Sequence, residues 1–212
     1  MLLGSAKLVF GVSKDDDSWL AGEPNGATPL TADDREFLKP NWVGTRAELN
    51  AVEQNNILKA QLQPKWNRMS TSTLLDDLTI RNLHESMFND VWDWAGKYRS
   101  RELTIGVAPD QVSVAVRQLV ENAKLWFNTT DPIEIDQPAC KVHHRLVEIH
   151  PFNNGNGRFA REYTNLILHS MKQDKFTWGI GLTKSSVRES YILALREADK
   201  GNFDPLYKFV RS

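Results

Sequence analysis

Apolar side chains recur every three or four residues along most of this 212-residue chain, and that spacing predicts α-helices. The predicted helices are one from Thr45, a long one over 70–95, one from Asp110, one over 139–149, one from Arg158, one over 185–200 and a short one from Asp204. Polar and apolar residues alternate over 101–109, around a glycine, which predicts a short β-hairpin. The pattern therefore predicts an all-α fold with one small hairpin.

Turn and capping signals divide the chain into three parts. Residues 1–30 contain a charge run and many turn-forming residues, and we expect them to form an N-terminal arm. Thr45 and Glu48 have the spacing of a capping box, which predicts a helix over 45–61. We therefore expect a helical extension over 31–69 and a core domain over 70–212.

Composition excludes several classes of protein. A formal net charge of −1 gives no electrostatic footprint for general nucleic-acid binding. The single cysteine, Cys140, excludes an intrachain disulfide framework. No apolar run approaches the roughly 20 residues that span a bilayer, and the first residues lack the basic start of a signal peptide. We therefore expect a cytoplasmic protein that binds neither membrane nor nucleic acid.

The candidate chemistry is concentrated between His150 and Arg161. The turn over 153–157 is rich in glycine and asparagine and leads into a predicted helix, whose N-terminus favours anions. Arg158 and Arg161 are three residues apart, so they are neighbours on that helix and can both bind phosphate oxygens. His150 can take a proton from an attacking hydroxyl at neutral pH. The stretch indicates phosphate-transfer chemistry, and the alternative is a plain surface turn before an amphipathic helix.

This stretch resembles the signature of the Fic (filamentation induced by cAMP) family, His-x-Phe-x-(Asp/Glu)-Gly-Asn-Gly-Arg-x-x-Arg. The resemblance implies an all-helical Fic bundle that transfers AMP from ATP to a protein hydroxyl. The roles it implies are His150 as general base, Phe152 as loop anchor, Gly155, Asn156 and Gly157 as phosphate cradle, Arg158 on the β-phosphate and Arg161 on the γ-phosphate.

One position departs from the signature, because Asn154 stands where the family has an acidic residue. In the family that carboxylate binds Mg²⁺, so the resemblance implies Mg²⁺ or Mn²⁺ as cofactor with ATP as co-substrate. An amide oxygen can coordinate Mg²⁺ but brings no negative charge. We therefore expect Asn154 to weaken the metal site.

Two further segments carry the resemblance. Residues 83–99, with Trp92-Asp-Trp-Ala-Gly-Lys-Tyr-Arg99, resemble the opening of the Fic core. The predicted hairpin stands where the family has a flap beside the active site, and an exposed edge there could pair with an extended target segment. The alternative is a plain connecting loop. The residues that the resemblance assigns to target docking are Leu103, Thr104, Ile105, Gly106 and Val107.

Glu53 lies on the apolar stripe of the predicted helix over 45–61, where a carboxylate needs a cation or a donor. Many Fic proteins carry an inhibitory helix whose glutamate pairs with the second motif arginine, and the resemblance makes Glu53 a candidate. One alternative is a glutamate that reaches solvent or a local lysine. Another is Glu189, which follows Ser185 with the usual inhibitory spacing but has Ser190 after it in place of glycine or asparagine.

The sequence thus favours a protein adenylyltransferase that modifies a serine, threonine or tyrosine hydroxyl. The alternatives are removal of AMP from a modified protein, phosphotransfer, and a non-catalytic nucleotide-binding module, which Asn154 favours. The N-terminal segment resembles a bacterial Fic subgroup called mobile mystery protein B, which implies a toxin-like regulator with a small antitoxin-like partner.

Overall fold

The computed structural model describes residues 32–131, 134–180 and 184–212, so the predicted arm over 1–30 lies outside the described residues. The α-helices within these ranges are α1 (Arg46–Gln61), α2 (Pro64–Asn67), α3 (Thr71–Leu74), α4 (Asp77–Phe88), α5 (Val112–Thr129), α6 (Asp136–Ile149), α7 (Asn156–Ser170), α8 (Lys184–Asp199) and α9 (Asp204–Val210). Short 3₁₀ helices cover Ala32–Phe37 and Pro109–Gln111. The predicted all-α class is confirmed.

The start of α1 follows from its sequence. The Thr45 side chain accepts a hydrogen bond from the Glu48 main-chain N–H at 3.2 Å, and the Glu48 carboxylate accepts one from the Thr45 N–H at 3.0 Å. This reciprocal capping box satisfies two donors that a helix start otherwise leaves without partners. The predicted helix over 45–61 is confirmed.

The long helix predicted over 70–95 is wrong, because the chain breaks it into α3 and α4. Asp76 has extended backbone angles (φ −144°, ψ 140°), which a helix interior does not allow. Its carboxylate accepts hydrogen bonds from the N–H groups of Leu78 and Thr79 at 2.9 and 3.3 Å. Asp76 therefore caps a new helix instead of continuing the first.

Helix α7 is the centre of the bundle. It packs against α6, α4, α2 and α3, while α1 packs on α4 and α9 on α8. Aromatic side chains fill the space around its first turns, with Phe88, Phe152, Phe159 and Tyr163 all fully buried. This packing fixes the N-terminus of α7, which is where the sequence predicts the phosphate cradle. Among the described residues, no helix combines the length and apolarity that crossing a bilayer requires.

The hairpin predicted over 101–109 is not formed, because residues 101–108 carry bends and no strand. The carbonyl oxygens of Arg101 and Val107, which a hairpin would use for cross-strand bonds, accept hydrogen bonds from the Arg99 side chain instead. Gly106 has φ 119°, outside the strand region. We call residues 101–108 the flap segment, which is an irregular loop.

Three buried histidines make stability depend on pH. Burial lowers the pKa values of His84 and His143 to about 3 and that of His150 to about 4, from an ordinary value of 6.5. Below pH 6.5 these histidines bind protons in the unfolded chain but stay neutral in the folded chain. The free energy of unfolding therefore decreases as the pH is lowered from about 6.5 to 4. Urea unfolding at pH 7.5, 6 and 5 should show this fall. A free energy of unfolding that is flat over that window would contradict it.

Candidate active site

A cavity of about 520 Å³ opens at the N-terminus of α7. Helix α1, the flap segment, the end of α6, the loop over 150–155 and helix α8 form its walls. The lining residues used below are Arg46, Glu53, Ile105, His150, Asn154, Gly155, Asn156, Gly157, Arg158, Arg161, Arg188 and Tyr191. The structure therefore brings most of the predicted site residues together around one cavity.

His150 ends α6 in the left-handed conformation, with φ 53° and ψ 60°. Its ring Nδ1 lies 3.2 Å from the carbonyl oxygen of Val147, so Nδ1 carries the proton and donates it. The other ring nitrogen, Nε2, then carries the lone pair that a general base needs. Burial, with a smaller contribution from the charge of Arg99, lowers the pKa of His150 to about 4, so the ring is neutral at neutral pH.

The loop after His150 is held by two side chains within it. Asn156 accepts a hydrogen bond from the Phe152 N–H at 2.9 Å and donates one to the Phe152 carbonyl at 2.7 Å. Phe152 itself is fully buried and stacks on His84, with ring centroids 3.6 Å apart. Phe152 therefore anchors the loop, and the side chain of Asn156 closes it, which leaves its main chain for a ligand.

Two glycines shape the start of α7. Gly155 has φ 77°, and a Cβ there would lie 2.4 Å from the Phe88 ring, so only glycine fits. A Cβ on Gly157 would meet no atom of the described residues within 4 Å, so these residues leave space beside it for a ligand. In the described part of the chain no side chain caps α7, so its first-turn N–H groups and helix dipole favour an anion in the cavity.

Among the residues that the structure describes, four arginines from three helices line the cavity. Arg158 and Arg161 lie on α7 as predicted, whereas Arg46 on α1 and Arg188 on α8 were not predicted. Burial lowers the pKa of the Arg188 guanidinium, and repulsion from Arg161 and Arg158 lowers it further. Guanidinium groups that repel one another in a cavity favour a ligand with several negative charges, such as a polyphosphate.

Glu53 is the single carboxylate among the described residues that line this cavity. Its side chain is 1% exposed and lies 2.8 Å from Arg158 Nη1, and it accepts a hydrogen bond from Trp92 Nε1 at 2.8 Å. The alternative of a solvent-facing glutamate is therefore wrong. The resemblance implied a pairing with the second motif arginine, Arg161. The structure pairs Glu53 with the first one, Arg158.

The residues around Asn154 do not fit a metal held by the protein. The Asn154 Oδ1 atom accepts a hydrogen bond from the Gly155 N–H at 2.7 Å, so the neutral amide oxygen is already in use. Within the described residues, no three histidine, cysteine, aspartate or glutamate side chains cluster as a metal site. Glu53, which is paired with Arg158, is not available as a substitute ligand.

The remaining predicted residues divide by position. Within the flap segment Ile105 lines the cavity, while Leu103, Gly106 and Val107 are half-buried and Thr104 is exposed. His143 and His144 lie outside the cavity, and their Nε2 atoms lie 2.8 Å from Tyr191 Oη and Asp199 Oδ1. Glu189 is exposed and does not line the cavity, and the side chain of Ser185 lies outside the described ones.

Two buried residues that sequence reasoning did not assign to the site hold its loop. His84 accepts a hydrogen bond from the Gly96 N–H at Nδ1, so Nε2 donates to the carbonyl of Asn154 at 3.1 Å. Arg99 donates to the carbonyl of His150 at 2.7 Å. Both residues lie in the stretch 83–99, whose resemblance to the opening of the Fic core was the one sequence feature that could have indicated their roles.

The sequence is similar to a known protein family and to curated proteins. Residues 74–168 match the model of the Fic/DOC family. Protein adenylyltransferase fic-1 of Caenorhabditis elegans is 31% identical over 122 residues, which is 55% of this chain and 22% of that protein. Protein adenylyltransferase Fic of Drosophila melanogaster is 27% identical over 169 residues, 74% of this chain and 32% of that protein.

Solved structures share the fold. The BepC protein of Bartonella tribocorum, solved with bound AMPPNP, superposes with a TM-score of 0.66 at 17% identity, over 94% of this chain and 97% of that chain. Fic-1 of Caenorhabditis elegans superposes with a TM-score of 0.59 at 22% identity, over 76% of this chain and 48% of that chain. The expected Fic-type helical bundle is confirmed.

The match to the Fic/DOC family model covers residues 74–168, which contain α4 to α6, most of α7 and the candidate site residues from His150 to Arg161. The chain spans only 22% and 32% of the length of the two curated relatives described above. The bacterial subgroup expected from the N-terminal segment stays a prediction.

Proposed function

We propose that this chain is a protein adenylyltransferase, which transfers AMP from ATP to a hydroxyl side chain of a target protein. The observation that carries the proposal is a neutral histidine, His150, beside an open glycine-lined helix start and a group of arginines. A base, an anion cradle and fixed positive charges are the parts that transfer to or from a polyphosphate needs.

In the proposed step, Nε2 of His150 takes the proton of the target hydroxyl as the hydroxyl oxygen attacks the α-phosphorus of ATP. A new oxygen–phosphorus bond forms while the bond from the α-phosphorus to the bridging oxygen breaks. Pyrophosphate leaves, and the proton on His150 is released to solvent. The first-turn N–H groups of α7 stabilise the charge on the transferring phosphate, with Arg158 on the β-phosphate and Arg161 on the γ-phosphate.

The relatives support the adenylyl reaction over other transfers. The matched proteins of Caenorhabditis elegans and Drosophila melanogaster are named protein adenylyltransferases, and the BepC structure holds AMPPNP, an ATP analogue. The flap segment, with Leu103 to Val107 beside the cavity, is the proposed docking site for a target segment that carries the acceptor hydroxyl. Mg²⁺ or Mn²⁺ is an expected companion of ATP, because the triphosphate supplies oxygen ligands of its own.

Transfer of labelled phosphate from ATP to protein tests the proposal. Purified protein is incubated with a bacterial lysate and ATP labelled at either the α or the γ position. Label that reaches protein from the α position alone is the expected result. Label from the γ position alone would mean phosphotransfer. Loss of AMP from a previously modified protein, without forward transfer, would mean the reverse reaction.

The alternative function is a weakened or non-catalytic nucleotide-binding module, and Asn154 is the observation that favours it. Changing Asn154 to aspartate keeps the acceptor for the Gly155 N–H and adds the missing negative charge. We expect Asn154→Asp to bind ATP with Mg²⁺ about tenfold or more tightly than the wild type, because Mg²⁺ prefers carboxylates. Calorimetric titration with ATP, with and without Mg²⁺, measures this without any need for activity.

Asn128→Asp is the matched control, since Asn128 is an exposed residue of α5 outside the cavity. Its affinity for ATP should be unchanged with or without Mg²⁺. A gain that is equal with and without Mg²⁺ in Asn154→Asp would contradict the assignment of this position to the metal. Label transfer by Asn154→Asp but not by the wild type would favour the weakened module.

We further propose that Glu53 inhibits ATP binding, because its carboxylate pairs with Arg158, the arginine assigned to the β-phosphate. This restraint belongs to the chain itself. A small antitoxin-like partner and a toxin-like role in a bacterial cytoplasm are also proposed, on the N-terminal resemblance alone. Purification of the chain with a partner encoded beside it would test that part.

A further inference from the structure

Arg99 is a buried cation in the segment between α4 and α5. Its side chain is 2% exposed, which is rare for arginine. Among the described residues, the hydrogen bonds of this guanidinium go to main-chain carbonyl oxygens rather than to a carboxylate. A buried charge in such a place needs several good acceptors, so its position is strictly fixed.

One set of these bonds holds the backbone around the base. Arg99 Nε donates to the carbonyl of His150 at 2.7 Å, and Nη2 lies 3.4 Å from the carbonyl of Ile149. The Arg99 main-chain N–H donates to the carbonyl of Pro151 at 2.9 Å. His150 is a non-glycine residue with φ 53°, a strained conformation that needs support from its surroundings.

A second set of bonds reaches the flap segment. Arg99 Nη1 donates to the carbonyl of Arg101 at 3.0 Å, and Nη2 donates to the carbonyl of Val107. The Val107 N–H in turn donates to the carbonyl of Ile149 at 3.3 Å. One planar guanidinium therefore joins the flap segment and the base, which a single ammonium group could not do.

Gly106 shows how closely these parts approach. A Cβ on Gly106 would lie 2.4 Å from Arg99 Nη2, 2.9 Å from the His150 Cβ and 3.0 Å from the Ile149 carbonyl oxygen. No side chain can enter this space without displacing the guanidinium or the base. The flap segment, Arg99 and His150 therefore form one packed unit.

We infer that Arg99 is a positioning residue, which holds His150 in its reactive orientation and couples that orientation to the flap segment. The inference rests on the proposed adenylyl transfer and deepens it. A target segment that docks on the flap segment would shift the carbonyls of Arg101 and Val107. These carbonyls accept hydrogen bonds from Arg99, which also donates to the carbonyl of His150. Correct docking and correct alignment of the base are thus linked through one side chain.

Arg99→Lys tests the inference, because lysine keeps the charge but cannot reach both sides. We expect kcat for transfer to fall by about 10- to 100-fold, because misplacement of a base by about 1 Å has effects of this size. ATP affinity should stay within about threefold, since Arg99 does not line the cavity. Arg117→Lys, at an exposed site of α5, is the control and should match the wild type.

A readout independent of activity is the proton position on the His150 ring, measured by nitrogen NMR of the histidine side chains. The His150 signal is the one missing in His150→Ala. The wild type should show the single form with the proton on Nδ1, and Arg99→Lys should show a mixture of both forms. An unchanged His150 signal in folded Arg99→Lys overturns the inference even if the wild type transfers no AMP.

Gly106→Ala is the second variant, for the case that Arg99→Lys does not fold. It leaves every donor of Arg99 in place, and its Cβ must displace the guanidinium or His150 itself by steric contact. We expect the same mixed His150 signal and a fall in kcat with ATP affinity unchanged. Suppose that the wild type transfers AMP and that folded Gly106→Ala has the same kcat and an unchanged His150 signal. This result would overturn the coupling and leave adenylyl transfer intact.

Discussion

Replacing His150 by alanine is expected to lower kcat for AMP transfer by about 100- to 10,000-fold, the usual contribution of a positioned general base. The structure gives the reason, because the Nδ1 proton is donated to the Val147 carbonyl and Nε2 carries the lone pair. Alanine removes that lone pair and leaves the first-turn N–H groups of α7 in place. ATP affinity should therefore change by less than about threefold, and a filter assay of label transfer with parallel calorimetry measures both.

His169→Ala is the control for this loss, because His169 is exposed near the end of α7 and away from the cavity. It should transfer AMP at the wild-type rate. A His150→Ala protein that keeps more than about a tenth of the wild-type kcat would assign proton removal to another group. Unchanged tight ATP binding with no turnover in either protein would support the non-catalytic module.

Releasing Arg158 from Glu53 is expected to raise ATP affinity by about 10- to 100-fold. Glu53→Gln removes the negative charge but keeps the shape and the acceptor for Trp92. A hydrogen bond to a charged group contributes about 1.5–3 kcal/mol, and the incoming β-phosphate must replace that bond. Calorimetric titration with ATP measures the gain, and the label assay should show faster transfer.

The control for Glu53→Gln is Glu121→Gln, the same chemical change in an exposed ion pair with Lys124 on α5. Its ATP affinity should be unchanged. Glu53→Gly, the more drastic change, should gain affinity in the same direction but lose stability, because it leaves Trp92 Nε1 without its acceptor. Wild-type ATP affinity and activity in both Glu53 variants would mean that Glu53 does not restrain the site.

The parts of the fold that depend on local chemistry could be predicted from the sequence. Thr45 and Glu48 define a helix start within four residues, and the structure has both capping bonds. The turn before α7 was predictable for the same reason, since the run of asparagine and glycine over 153–157 favours the positive φ that Gly155 adopts. Such signals are read from neighbours in the chain, and tertiary contacts do not override them here.

Elements that depend on distant contacts could not be predicted. The apolar spacing over 70–95 continues through Asp76, so it did not reveal that this side chain caps a second helix. Alternation over 101–109 predicted a hairpin, but the Arg99 guanidinium takes the carbonyls of Arg101 and Val107. Hydrophobic spacing carries no information about a competing donor from another segment.

The candidate site divides in the same way. His150, Arg158 and Arg161 lie in one short stretch, and the structure brings all three to one cavity. The carboxylate of Glu53 was singled out because it sits on an apolar stripe, but its partner could not be read from the sequence. The resemblance pointed to Arg161, and the approach of α1 to α7 selects Arg158 instead.

A crystal structure with a non-hydrolysable ATP analogue measures the central arrangement most directly. We expect the first-turn N–H groups of α7 to bind the phosphates, with the α-phosphorus about 6 Å from His150 Nε2, which leaves room for one hydroxyl oxygen between them. The β-phosphate should contact Arg158, with Glu53 displaced. A γ-phosphorus in the place of the α-phosphorus, or a nucleotide bound away from His150, would contradict adenylyl transfer by this site.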